Sequence, residues 1–230
     1  MLPVRGSVIA SAIYLAAGLA WAFLSGHSAP FYLAWMVLVA IGGAFIPGIA
    51  NQVSLARAYL AAPALAYSLT PGHLGLLAVV VAVAGLTDLV DGTIARRFDR
   101  PSALGGGLDP VVDGLFLGAL TVGLAAGGGI PWWLAAVVIL RYLLPALAGG
   151  LLIAMHRPPV LRHTLMGQVS TVLILVLIGG TCLIRGLNQD PGNFAIAAQI
   201  VIPIATIATF IHLAWAVRHR RPVPAPDGGC

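Results

Sequence analysis

The chain contains no lysine and no glutamate: among its 230 residues the twelve basic ones are all Arg and the seven acidic ones all Asp. Charged residues of every kind make up only 8% of it and hydrophobic ones 60%, where a typical soluble domain is about 25% charged. So little charge excludes a water-soluble globular domain. A mean hydropathy of +0.99 excludes a disordered chain as well, because disorder needs polar surface to stay solvated. Long basic runs are missing too, so a net charge of +5 offers no track for a phosphate backbone, and nucleic acid is not expected as a partner. Cysteine is scarce: Cys182 lies in a late apolar stretch and Cys230 is the last residue, so no disulfide between them is expected. No serine stands in a Gly-x-Ser-x-Gly setting, and serine hydrolysis has no support.

What is present in abundance is hydrocarbon. A membrane-spanning helix needs roughly 20 mainly apolar residues. The sequence offers about eight such stretches: Ser7–Leu24, Phe31–Pro47, Val53–Leu69, Leu74–Leu89, Leu108–Ala126, Pro131–Ile153, Leu165–Leu183 and Phe194–Val217. The expected fold is therefore an all-α, polytopic transmembrane helical bundle. The first stretch follows Arg5 like a secretory signal, but with seven further spans behind it we expect an uncleaved helix. With the N-terminus in the cytoplasm, ten of the twelve Arg residues fall on or near that side. Arg185 falls opposite and Arg141 lies within the sixth span, as the positive-inside rule requires of this orientation. Residues 218–230, rich in Arg and Pro, read as a disordered cytoplasmic tail.

Against this background the aspartates are out of place. A charged side chain in hydrocarbon costs at least about 2.5 to 3.5 kcal/mol on insertion scales, so intramembrane acids mark function. Five of the seven Asp residues lie between positions 88 and 113. Asp88 and Asp91 share one helix face at i, i+3; Asp109 and Asp113 share another at i, i+4; and the short link makes the two helices antiparallel neighbours. Four carboxylates meeting in a poorly solvated site would repel one another or protonate unless cations neutralised them. Two divalent cations supply the charge. All-oxygen ligation points to Mg²⁺ or Mn²⁺ rather than zinc, and a two-metal site suits displacement at phosphorus. Gly92 and Ala95 would let a polar ligand approach the backbone, Arg96 could grip phosphate, and Gly105 opens the next approach.

The run Asp88-x-x-Asp91-Gly92-x-x-Ala95-Arg96, eight residues, Gly105, three residues, Asp109, three residues, Asp113 resembles the signature of the CDP-alcohol phosphotransferase (CDP-alcohol phosphatidyltransferase) family, class I, at every fixed position. Asn51-x-x-Ser54-x-x-Arg57 is similar to the start of that family's core. The resemblance implies a six-helix catalytic core over residues 51–217, preceded by an additional helix pair in residues 1–50. It implies a membrane enzyme of phospholipid synthesis that transfers a phosphatidyl group from CDP-diacylglycerol to an alcohol and releases CMP. It further implies that Asp88, Asp91, Asp109 and Asp113 bind the metals and that Asp113 is the general base. Gly92, Ala95, Arg96 and Gly105, with Asn51 and Arg57, would receive the cytidine diphosphate. A homodimer in a bacterial plasma membrane, with the site facing the cytoplasm, is also what the resemblance and the Arg distribution suggest.

The acceptor alcohol is less legible. An anionic acceptor needs a second basic pocket, for which Arg141, Arg157 and Arg162 are the available cations. Arg141, at mid-span, should face the bundle interior and find an anion, either the acceptor or one of the aspartates. The Gly167-Gln168-Val169-Ser170-Thr171 stretch resembles the Gly-Lys-x-x-Thr of phosphatidylglycerophosphate synthase-like members, with Gln168 where those have Lys. A phosphatidylglycerophosphate synthase-like activity leads, with cardiolipin synthase-like or inositol phosphate-using members as alternatives. From another class, an ion-coupled transporter would also use intramembrane acids. Trp132 and Trp133 read as interfacial belt residues, and Gly114-x-x-x-Gly118 as a close-packing face.

Overall fold

The computed structural model describes residues 5–26, 30–98, 103–154 and 165–218, and these are all-helical, with no strand among them. Eight α-helices follow in order: α1 (Arg5–Leu24), α2 (Pro30–Gly43), α3 (Ile49–Ser68), α4 (Leu74–Phe98), α5 (Ala103–Ala126), α6 (Trp132–Ala154), α7 (Leu165–Gly186) and α8 (Gly192–Arg218). A single 3-10 turn, Pro71–His73, leads into α4. The eight expected stretches are thus eight helices, the largest difference being that α4 and α5 extend through the aspartate motif toward one another. The proposed tail beyond Arg218 lies outside the described residues.

The interior is mainly apolar, but the exterior differs from that of a water-soluble protein. Large aliphatics point outward, including Ile196, Ile200, Ile204, Ile207 and Ile211 along α8, while Ser7, Ser11, Gln52, Thr121, Ser170 and Thr206 are buried. A continuous apolar exterior of this kind is at home only in hydrocarbon. Among the described residues, four segments are long and apolar enough to cross a membrane: Arg5–Leu24, Leu108–Ala126, Val169–Gly186 and Gly192–Trp215. Several buried hydroxyls are satisfied within their own helix, as when Thr121 donates to the Leu117 carbonyl at 2.6 Å and Thr181 to the Leu177 carbonyl at 2.7 Å, because an unpaired donor in hydrocarbon is costly.

The central helix is α3. Most of its twenty residues are buried, and it packs against α1, α2, α4 and α5. Its polar content, with Asn51, Gln52, Ser54 and Arg57 all interior, explains why it fails a hydropathy criterion for a span: protein, not lipid, surrounds it. On one side of it, contacts α4–α7, α7–α8, α8–α6 and α6–α5 close a ring of helices. On the other side sit α1 and α2, tied down by Trp21 Nε1 donating to the Tyr67 hydroxyl at 2.6 Å and Trp35 Nε1 donating to the Ala58 carbonyl at 2.7 Å. Gln52 Nε2 donates to the carbonyls of Gly43 and Ile46, at 2.9 and 2.6 Å, and fixes the α2–α3 turn.

Close approach of α3 and α5, which places the site, depends on glycine. A Cβ added at Gly123 would lie 1.8 Å from Ser68 Oγ and 3.0 Å from Ser68 Cβ. Likewise a Cβ at Gly186 would lie 2.6 Å from the backbone nitrogen of Gly75, so α7 meets the start of α4 backbone to backbone. Of the Gly114/Gly118 pair, only Gly114 serves packing: its Cβ position is 3.1 Å from Tyr142 Cβ, whereas Gly118 meets nothing within 4 Å.

Candidate active site

Three helices deliver charge to one point. Asp88 projects from α4, Asp109 and Asp113 from α5, and all three are directed at Arg57 of α3. The Arg57 Nη1 nitrogen donates to Asp88 Oδ1; Nη2 lies 3.8 Å from Asp109 Oδ1, and Nε lies 3.2 Å from Asp113 Oδ1. The rigid fork of a guanidinium can address three acids from one position, which the single ammonium of a lysine cannot. Arg57 is 3% exposed, against 32% for Asp88 and Asp109 and 18% for Asp113, so the cation is the buried hub and the acids form its partly open rim.

This arrangement brings Asp88 of α4 together with Asp109 and Asp113 of α5, three of the four expected acids, and changes the position of Arg57. The family resemblance implied a place for it at the border of a nucleotide site; the structure puts it among the carboxylates. Among the described residues no three His, Cys, Asp or Glu side chains are grouped closely enough to hold a metal ion by themselves, since the acids gather on the guanidinium rather than on one another. The donor chemistry nonetheless fits a hard divalent cation. One positive group against three negative ones leaves two negative charges in excess, all carried on oxygen.

The rest of the motif is placed by backbone. Asp91, Gly92, Ala95 and Arg96 continue α4 beyond Asp88, and Gly105 stands in the first turn of α5, but their side chains lie outside the described residues. Arg157 and Arg162 lie wholly outside them. Asn51 is buried and donates from Nδ2 to the Pro47 carbonyl at 2.6 Å, closing the turn before α3. Ser54 donates to the Ala50 carbonyl at 3.1 Å.

Arg141 of α6 faces the interior, 6% exposed, as its mid-span position suggested. Its partners are neutral. Nη1 donates to Ser170 Oγ and, at 3.4 Å, to Thr209 Oγ1; Nη2 donates to the Gly167 carbonyl at 2.9 Å and to Thr171 Oγ1 at 3.2 Å. Among the described residues no aspartate pairs with it; the Asp91 side chain lies outside them. The Gly167–Thr171 stretch therefore surrounds an arginine supplied by another helix. Sequence reasoning passed over Tyr142, whose hydroxyl lies 3.1 Å from Thr171 Oγ1 and whose ring centroid is 5.5 Å from the Arg141 guanidinium carbon. Its position directly after Arg141 was the available signal.

Comparison with known proteins agrees with this construction. A family model described as CDP-alcohol phosphatidyltransferase matches residues 48–218, that is, α3 to α8 with one residue before, and leaves α1 and α2 outside. The chain is 29% identical over 175 residues to a probable phosphatidylglycerophosphate synthase of Mycobacterium tuberculosis, covering 74% of this chain and 80% of that protein. It is 32% identical over 147 residues to a probable cardiolipin synthase (CMP-forming) of Drosophila melanogaster, covering 57% of this chain and 45% of that protein. To the human cardiolipin synthase (CMP-forming) it is 31% identical over 166 residues, covering 72% of this chain and 54% of that protein. The chain thus spans only about half the length of the two cardiolipin synthases.

Proposed function

Because the chain belongs to the CDP-alcohol phosphatidyltransferase family, we propose that it transfers a phosphatidyl group from CDP-diacylglycerol to an alcohol and releases CMP, in the manner of a phosphatidylglycerophosphate synthase. The observation that carries this reading is the convergence of Asp88 from α4 and of Asp109 and Asp113 from α5 on one buried arginine of α3, the helix packed against both. An intramembrane site this acidic has no structural purpose that neutral residues would not serve better.

In the proposed reaction the acceptor hydroxyl oxygen attacks the phosphorus that bears diacylglycerol. The bond from that phosphorus to the bridging oxygen breaks, and CMP leaves with the electron pair. Asp113 accepts the hydroxyl proton; it is the least exposed of the three described acids, which keeps water from competing for its carboxylate. Asp88, Asp91, Asp109 and Asp113 would hold divalent cations, Mg²⁺ or Mn²⁺, which when bound neutralise the diphosphate and the departing phosphate. Arg57 holds the acids in register across α3, α4 and α5, so that their geometry precedes substrate binding. Gly92, Ala95, Arg96 and Gly105 are proposed to receive the cytidine diphosphate, with Asn51 at its border.

Arg141 supports an anionic acceptor such as glycerol 3-phosphate. Among the described residues this buried cation is held by hydroxyls and a carbonyl, neutral partners that leave its charge to be matched by a phosphate. Arg157 and Arg162 are proposed to complete that pocket. The cardiolipin synthase-like relatives favour a second acceptor, a phosphatidylglycerol-type lipid. We place the site at the cytoplasmic face of a bacterial plasma membrane on the positive-inside distribution of Arg, and we expect a homodimer.

Purified protein incubated with CDP-diacylglycerol, Mg²⁺ and a panel of alcohols should release CMP with one of them. No release with any acceptor, from protein that unfolds cooperatively, would overturn the assignment. Faster release with phosphatidylglycerol than with glycerol 3-phosphate would select the second reading.

A further inference from the structure

A cleft of about 330 Å³ lies between α2 and α5. Ala61 and Ala62 of α3 form its floor, Gly114 and Gly118 of α5 one wall, and Phe31 and Trp35 of α2 the other. Asp113 does not line it, but Gly114, the next residue of α5, does. Gly118, one turn on, stands about 6 Å farther from the acids at 1.5 Å per residue. The space is real on the α5 side, because a Cβ at Gly118 would meet nothing within 4 Å. Every lining residue is apolar, and the one polar atom they carry, Trp35 Nε1, is already spent on the Ala58 carbonyl. A polar ligand would find no partner here; a hydrocarbon chain would lose none.

We propose that this cleft seats an acyl chain of the phosphatidyl donor, and that Phe31 and Trp35 limit which chains fit. The inference rests on the phosphatidyl-transfer reading. That reaction needs a diacyl lipid to present its phosphorus at Asp113 while its chains remain in hydrocarbon, and an apolar slot whose α5 wall runs from Gly114 to Ala119 suits the chains. The outer wall lies outside the family core, since α2 precedes the residues matched by the family, 48–218. The additional helix pair therefore acts as a specificity element: α1 anchors α3 through Trp21 and Tyr67, and α2 shapes the slot.

Two measurements test this. First, Gly118→Leu puts a side chain into the cleft from a position whose Cβ meets nothing within 4 Å, and Trp35→Ala widens it. With dioleoyl and dioctanoyl CDP-diacylglycerol as competing donors, Gly118→Leu should shift the kcat/KM ratio toward the short chain by about tenfold, as when roughly two methylenes lose their contact. Trp35→Ala should shift it toward longer or bulkier chains. Second, a photoreactive CDP-diacylglycerol with a diazirine near its acyl terminus should label α2 and α5 in the parent protein, and Gly118→Leu should remove that label. CMP release with an unchanged donor ratio and unchanged labelling in Gly118→Leu would overturn the inference while leaving the function standing. Labelling abolished equally by excess phosphatidylcholine would also overturn it, as bulk-lipid occupancy only. Specific labelling without CMP release from any acceptor would instead count against the function and leave the cleft a lipid site. If Gly118→Leu does not fold, Phe31→Ala, at an exposed position, must shift the donor ratio in the same direction as Trp35→Ala, and failure to do so overturns the inference.

Discussion

Replacing Arg57 with Gln should expose how strongly the acidic rim depends on its hub. The substitution keeps a polar side chain of comparable reach but removes the only charge facing Asp88, Asp109 and Asp113 among the described residues. Removing one partner of a buried ion pair costs about 3 to 5 kcal/mol. Here Arg57 is 3% exposed but the acids are 18 to 32% exposed, so water screens part of the repulsion that is left. The lower end, about 3 kcal/mol, is expected. For a chain of this size 1 kcal/mol corresponds to roughly 2 to 4 °C, so Tm should fall by about 6 to 12 °C. The assay is thermal unfolding in a mild detergent at a fixed scan rate, with and without millimolar Mg²⁺. Divalent cation should recover more stability in Arg57→Gln than in the parent, because it neutralises acids that have lost their arginine. Arg57→Lys should lie between the two, with charge kept and the fork lost. A Tm unchanged within about 1 °C would refute the role of Arg57 as counter-charge, and Mg²⁺ that shifts parent and variant equally would refute the claim that these acids gather cations.

Three further outcomes follow from the geometry. Asp113→Asn should abolish CMP release while lowering Tm by less than Arg57→Gln does, because Arg57 keeps Asp88 and Asp109; near-normal turnover would show the base to be elsewhere. Arg141→Met should raise KM for glycerol 3-phosphate about tenfold or more with a smaller effect on kcat, as expected for loss of a charge-assisted contact; an unchanged KM would leave Arg141 a purely structural residue. Gly123→Val should destabilise by about 1 to 3 kcal/mol through overpacking against Ser68, whereas Gly6→Ala, with nothing within 4 Å, should be neutral; equal melting of the two variants would contradict the close α3–α5 approach.

The helices were legible in the sequence because hydrocarbon length and Gly/Pro breaks are local signals. So was the convergence of the acids, since i, i+3 and i, i+4 spacing on two linked helices permits little else. The role of α3 was not legible. A helix wholly surrounded by protein need not be apolar, and hydropathy cannot distinguish an interior Arg57 from one anchored at a membrane surface. Arg141 was read correctly as inward, but its neutral partners come from α7 and α8, beyond the reach of any spacing rule. The Gly114/Gly118 pair looked like one packing face; only three dimensions show that Gly114 receives Tyr142 while Gly118 opens on a cleft.

The most direct test of the account is CMP formed by the purified protein from CDP-diacylglycerol and glycerol 3-phosphate, followed as Mg²⁺ is added, chelated and restored. Release that appears with Mg²⁺, stops with EDTA, returns on restoring the ion and is absent throughout in Asp113→Asn is the predicted result. Release that persists undiminished in EDTA, or that Asp113→Asn retains, would contradict it.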